Sequence, residues 1–282
     1  MGHITAISNQ KGGVGKTTIT VNLAKLLGAR GFRVLVIDND PQGNLTSALF
    51  ADELPEGVLE AGSAVQGLPG PGNTVSAYSE GAALAPVAVP RPADQTGRAQ
   101  EEWVGNLHAL AATSSLVEIS QKSIEAVYAF QENVRELARD YDVVLIDCLP
   151  SFGVVQTASH MAAHWLLVPT HLDSFSVGGV RAQMQNAAKI KKRGNSDLAL
   201  LGIVPNEVSA VPTNVESVYD AELREEWGDK VFISRITKST KVREANALHA
   251  GIFEYKPHSD QARQFRALAD EYCARTSLGG AQ

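Results

Sequence analysis

The sequence predicts an α/β fold, a mostly parallel twisted sheet with helices on both faces. Short apolar runs alternate with stretches of helical periodicity, the signature of strands separated by crossover helices. A glycine-rich turn joins the first apolar run to the first amphipathic stretch, which makes the opening of the chain a βαβ unit. With 282 residues, 44% of them hydrophobic, there is enough material for one large core, so a single domain over 1–282 is the expected organisation.

Strands are expected at 3–8, 33–37, 143–146, 165–168, 199–204 and 231–233. Between the first two, Ile19, Leu23, Leu26 and Leu27 share one helical face, with Gly28 and Gly31 as the stop. Later helices are expected at 176–192, 213–227, 241–250 and 260–275. The last carries Ala262, Phe265, Ala269, Tyr272 and Cys273 on one face, as a core helix does. One stretch, about 52–100, is rich in Ala, Gly and Pro and poor in periodic apolar residues. It is expected to be a partly ordered surface insertion, either irregular packing or a docking loop for a partner.

A net charge of -6 argues against constitutive nucleic-acid binding over the whole surface and leaves room for local basic patches. The two cysteines, Cys148 and Cys273, have neither zinc-site spacing nor a disulfide framework, which points to a reducing cytoplasm. No apolar run reaches eighteen residues, so membrane spanning is not expected.

The chemistry concentrates in Lys11-Gly12-Gly13-Val14-Gly15-Lys16-Thr17-Thr18. Glycines at this spacing let backbone N–H groups turn inward around phosphate oxygens, and the helix that follows adds the positive end of its dipole. Lys16 is expected to reach the β and γ phosphates, Thr17 to ligate Mg²⁺ and Thr18 to sit near the α phosphate. Two acidic groups end apolar strands at the same expected sheet edge. Asp147 follows Val143-Val144-Leu145-Ile146, where a carboxylate would hold Mg²⁺ through water. Asp38 and Asp40 follow Val34-Leu35-Val36-Ile37 and precede Pro41-Gln42-Gly43.

On these residues the chain resembles a ParA-type partition ATPase of the ParA/MinD superfamily, the P-loop NTPases with a deviant Walker A motif. The match is nearly letter for letter from Ser8 to Thr18 and from Val36 to Asn44, and continues more weakly at 107–116, 169–179 and 236–257. The 52–100 region lies outside it. The resemblance implies that Lys11 is the signature lysine, which crosses a two-fold interface to the partner subunit's phosphates, so that ATP holds a sandwich homodimer together. A lysine about 4 Å from a phosphate charge is worth on the order of 4 kcal/mol at an effective dielectric near 20, before desolvation. It further implies that Asp40 orients the attacking water. Asn206, Thr237 and Lys238 would border the adenine. Intrinsic hydrolysis would be slow and stimulated by a ParB-like or cargo-adaptor protein. Two departures are visible: Cys148-Leu149-Pro150 stands where the family has x-Pro-Pro, and Ile236-Thr237-Lys238 stands for Ile-Pro-Arg.

Two basic groups remain. Lys189, Lys191, Lys192 and Arg193 crowd one helix end, where cations also simply complement the helix dipole. Lys238, Lys241, Arg243, Arg263 and Arg266 lie where the resembling family builds a surface for nonspecific, salt-sensitive DNA contact. The expected activity is therefore ATP-dependent partition of DNA or positioning of a cargo, in the cytoplasm and on the nucleoid in the ATP state. A MinD-like, membrane-associated regulator is the alternative, and needs an amphipathic C-terminal helix. A metabolic ligase on the same scaffold would leave Lys11 without a duty.

Overall fold

The computed structural model describes residues 2–50, 54–59, 69–90 and 106–279. The strands are β1 (His3–Ile7), β2 (Arg33–Asn39), β3 (Val87–Ala88), β4 (Asn106–Leu110), β5 (Val143–Cys148), β6 (Trp165–Thr170) and β7 (Ala199–Pro205). The helices are α1 (Lys16–Ala29), α2 (Asn44–Phe50), α3 (Leu116–Ile119), α4 (Ile124–Leu137), α5 (Val154–Ala162), α6 (Ser174–Arg193), α7 (Asn214–Trp227), α8 (Thr240–Ala247), α9 (Ile252–Tyr255) and α10 (Asp260–Thr276). The strands form one seven-stranded sheet in the order β3-β4-β2-β5-β1-β6-β7. All the pairings are parallel except that of the edge strand β3 with β4.

Strand β5 is buried at every position and β1 and β2 at all but their first residues. Helices cover both faces, so these strands read as continuous apolar runs rather than as alternations. The period of two survives in the choice of core: Val34 and Val36 face one cluster, with α1 and α10, while Leu35 and Ile37 face the other, with α4 and α5. Helix α1 is enclosed almost all round, because β-sheet, α2 and α10 all pack on it.

Four expectations change. The stop of α1 is Gly31, in the left-handed region at φ 89°, whereas Gly28 lies inside the helix. Residues 231–233 form no strand; Val231 makes a single bridge to Ile203. Strand β4 and helices α4 and α5 add to the expected elements, although α4 buries Ala126, Val127, Phe130 and Val134 at helical spacing. Finally, residues 69–90 of the expected insertion are built into the fold. A 3-10 turn at Thr74–Tyr78, capped by the Asn73 side chain, buries Thr74, Ala77 and Tyr78, and β3 extends the sheet. Residues 52–53, 60–68 and 91–100 of that stretch lie outside the described residues.

Candidate functional site

In a parallel sheet the C-terminal strand ends share one edge, and here that edge collects the expected chemistry. Ile7, the last residue of β1, is in register with Asp147 on β5, and Asp147 with Asp38 on β2. The chain leaving β1 therefore wraps its glycine loop directly over two carboxylates. Gly13 and Gly15 both take positive φ, 75° and 86°, which L side chains rarely adopt. Gly15 is doubly required, since a Cβ there would lie 2.1 Å from the Asn206 amide nitrogen.

Lys16 folds back over the loop and donates from Nζ to the Lys11 carbonyl at 3.2 Å. Burial lowers its pKa, and Asp147, Cys148 and Asp40 pull the other way. Thr17 Oγ1 donates to Asp147 Oδ2 at 2.6 Å. Burial, aided by the neighbouring carboxylate, holds both Asp147 and Asp38 well above the ordinary carboxylate range. A hydroxyl beside a buried carboxylate of this kind is a hard oxygen donor pair, suited to Mg²⁺. Asp38 accepts from the Thr46 amide at 2.8 Å and hydroxyl at 2.7 Å, which ties the strand end to α2. Asp40 accepts from the Gln42 amide at 2.9 Å and is 9% exposed.

These groups open onto a cavity of about 530 Å³, in the range of small-molecule sites. Gly12, Gly13, Gly15, Lys16, Thr17, Thr18 and Asp40 line it. So do Glu207, Asn246 and His249, which sequence reasoning missed because they come from two loops and the end of α8, with no motif of their own. Pro150, kept where this chain lacks the first of the family's two prolines, also lines it. Val14 is buried behind the loop, and Cys148 is a small core residue whose thiol burial pushes up to about 12.

The expected adenine residues are placed differently: none of the three lies on the cavity wall. Asn206 is buried and donates to the Val14 carbonyl at 2.8 Å, so that it braces the loop from behind. Thr237 is engaged by α10, donating from its amide to Gln264 Oε1 at 2.9 Å and accepting from Gln261 at 2.8 Å. Lys238 is exposed.

Lys11 also stands apart from the cavity wall. Its Nζ donates to Asp173 Oδ2 and to Ser176 Oγ, both at 2.8 Å, at the start of α6. The side chain keeps 32% exposure there.

The two basic groups are separated by the topology. Lys189, Lys191 and Lys192 lie exposed near the end of α6, which leaves the site's edge and returns to the opposite one, where β7 begins. Lys238, Lys241 and Arg243 are also exposed, and the bonds from Gln261 and Gln264 to Thr237 draw the helix bearing Arg263 and Arg266 towards them. Arg263 is paired with Asp260, and Arg266 donates to the Pro257 carbonyl at 2.8 Å.

A family model described as an AAA domain matches residues 2–200. The chromosome-partitioning ATPase Soj of Thermus thermophilus is 32% identical over 272 residues, covering 96% of this chain and 95% of that protein. Among solved structures, McdA of Cyanothece in its ATP complex superposes with a TM-score of 0.79 at 18% identity, over 100% of this chain and 98% of that one. Cobyrinic acid a,c-diamide synthase of Mycobacterium smegmatis, with bound ADP and magnesium, gives 0.72 at 26% identity, over 100% and 97%.

Proposed function

Since the chain belongs to the ParA/MinD-type partition ATPases, we propose that its ATP-bound form is a sandwich homodimer that holds nonspecific DNA until a partner protein stimulates hydrolysis. The protein is an ATPase of the partition or positioning kind, on a P-loop NTPase fold. The finer reading rests chiefly on Lys11. A second lysine in a phosphate loop would be expected to face its own cavity, yet this ammonium is held by Asp173 and Ser176 beside the site, with part of its surface in solvent. A cation in that place is available to phosphates bound by another subunit.

Within the subunit each group has a task that its position supports. The amides of Gly12, Gly13 and Gly15 cradle the phosphates, and Lys16 balances their charge from inside the loop. Thr17 and Asp147 would hold Mg²⁺, which supplies charge neutralisation at the β and γ oxygens. Asp40, a carboxylate at the cavity wall, orients the attacking water. Thr18 lies beside the α phosphate. Adenine is received by Glu207, Asn246 at the end of α8, and His249, with Asn206 acting through the loop it braces. Lys238, Lys241, Arg243, Arg263 and Arg266 form the DNA surface, with phosphates as the ligand. The partner is a ParB-like or cargo-adaptor protein, and the setting is the cytoplasm and, with ATP, the nucleoid.

Helix α10 lends the membrane-associated alternative no support. Ala262, Phe265, Leu268, Ala269 and Tyr272 of α10 are buried in the core, which uses the face that a lipid surface would need. Among the described residues no helix is long and apolar enough to cross a membrane.

Light scattering with ATP tests the reading. Lys11→Ala should stay monomeric at concentrations where the parent dimerises, while still binding nucleotide. Dimerisation of the variant as strong as the parent's would show that the mechanism does not run through Lys11.

A further inference from the structure

A buried chain of hydrogen bonds runs from the expected insertion into the strand end that carries Asp40. The Tyr78 hydroxyl donates to Asn39 Oδ1 at 2.9 Å. Asn39 Nδ2 in turn donates to the Val155 carbonyl at 3.1 Å and to Ser159 Oγ at 2.7 Å, both on α5. Asn39 is fully buried and Tyr78 is 4% exposed, its ring packed 4.6 Å from that of Phe130. Both amide hydrogens and the carbonyl of Asn39 are thus satisfied, and removing one partner would strand a polar atom in the core.

Asn39 stands between Asp38 and Asp40. A second route from the same 3-10 turn reaches the other side of that carboxylate loop. Thr74 donates to the Ala111 carbonyl and Asn73 Nδ2 to Thr113 Oγ1. Between those two acceptors, the Ala112 amide donates to Thr46 Oγ1 at 2.8 Å, and Thr46 bonds Asp38. Residues 73–78 therefore grip the strand end from both sides, by Asn39 directly and by Asp38 through Thr46. An apolar residue at position 39 would pack without any of this. The asparagine makes the backbone that carries Asp40 depend on Tyr78 and on α5, the helix that follows the Cys148-Leu149-Pro150 turn.

We infer that Tyr78 is a positioning residue for ATP hydrolysis, acting through Asn39 on the placement of Asp40. The inference rests on the reading of Asp40 as the water-orienting group. Its test is the single-turnover hydrolysis rate and, separately, the ATP dissociation constant of the parent, Tyr78→Phe, Asn39→Leu, the double variant and Asp40→Ala. Tyr78→Phe keeps the ring and removes only the hydroxyl, so hydrolysis should slow about three- to tenfold, with ATP affinity unchanged. In the Asn39→Leu background the same change should have no further effect, because the two groups share one interaction. A parent rate in Tyr78→Phe, even with a lowered melting temperature, would reduce the contact to packing and overturn the inference. Additive losses in the double variant would do the same. If Asn39→Leu does not fold, the rate of Tyr78→Phe decides alone. Full hydrolysis by Asp40→Ala would remove the underlying reading. Its loss there beside a parent rate in Tyr78→Phe would remove the inference alone.

Discussion

His160 shows how a single buried residue sets the response to pH. It is fully buried on α5, its Nε2 lies 3.2 Å from Gln183 Nε2, and burial pushes its pKa down to about 4. In the unfolded chain the same ring titrates near 6.5. The folded state therefore excludes a proton that the unfolded state accepts. Stability from this group is complete above about 6.5 and is lost as pH falls towards 4. His160→Gln should remove that loss, making the variant relatively more stable than the parent at pH 4 than at pH 7, by roughly 2–3 kcal/mol. Urea unfolding at the two values checks this, and an equal difference at both would show that the proton is accommodated in the fold.

At the scale of elements, the phosphate-loop helix is held by side chains one and two turns apart. On α1, Thr18 accepts from Asn246 at 3.2 Å, Asn22 accepts from the Ile252 amide at 2.8 Å, and Lys25 pairs with Glu254 at 3.1 Å. The spacing of four and three places them on one face, which docks the segment bearing α8 and α9. The Lys25–Glu254 pair is 2% exposed on each side, and Lys25 also donates to the His249 carbonyl at 2.8 Å. Breaking a buried pair leaves an uncompensated charge, whereas replacing both members with neutral groups does not. Lys25→Met should cost about 3–5 kcal/mol, and adding Glu254→Gln should restore much of it. The urea midpoints of single and double variants decide, and a single variant as stable as the parent would mean that Glu254 finds solvent. Because His249 also lines the cavity and bonds the Ser47 carbonyl on α2 at 2.8 Å, the same segment links α1 to α2, the helix that follows the Asp40 loop.

For the molecule as a whole, the proposed function raises the question of which surface would meet DNA. The acidic net charge confines any such contact to a patch, and the topology puts the two basic groups at opposite sheet edges. Of the two, it is the group around Lys241 and Arg243 that shares α8 with the cavity-lining Asn246 and Ala247, where, on the proposed function, ATP would control it. In the ATP state, affinity should fall steeply with salt. Lys241→Ala with Arg243→Ala should flatten the log–log slope by about 1–2. Changing Lys189, Lys191 and Lys192 to Ala should leave it in place. Fluorescence anisotropy across a salt series measures both, and the reverse ranking would move the DNA surface to the end of α6.

How much of this could be read from the chain follows from the range of the interactions concerned. The glycine loop, the two lysines, Thr17, Asp40 and Asp147 are local patterns at strand ends, and spacing along one segment is enough to recognise them. The parallel sheet follows likewise from apolar runs separated by helical periods. What only the tertiary structure decides depends on contacts between residues far apart in sequence. Asn206 bonds Val14 across 192 positions, which makes it a brace for the phosphate loop. Tyr78 meets Asn39 across 39, which ties an Ala-, Gly- and Pro-rich stretch to the strand end beside Asp40. Lys11 belongs to both accounts: its place in the motif marks it out in the sequence, while its ammonium is seated on Asp173 and Ser176 by the packing of α6 against the loop. Local spacing marks out which residues are expected to carry the chemistry, and long-range burial settles what holds them in position.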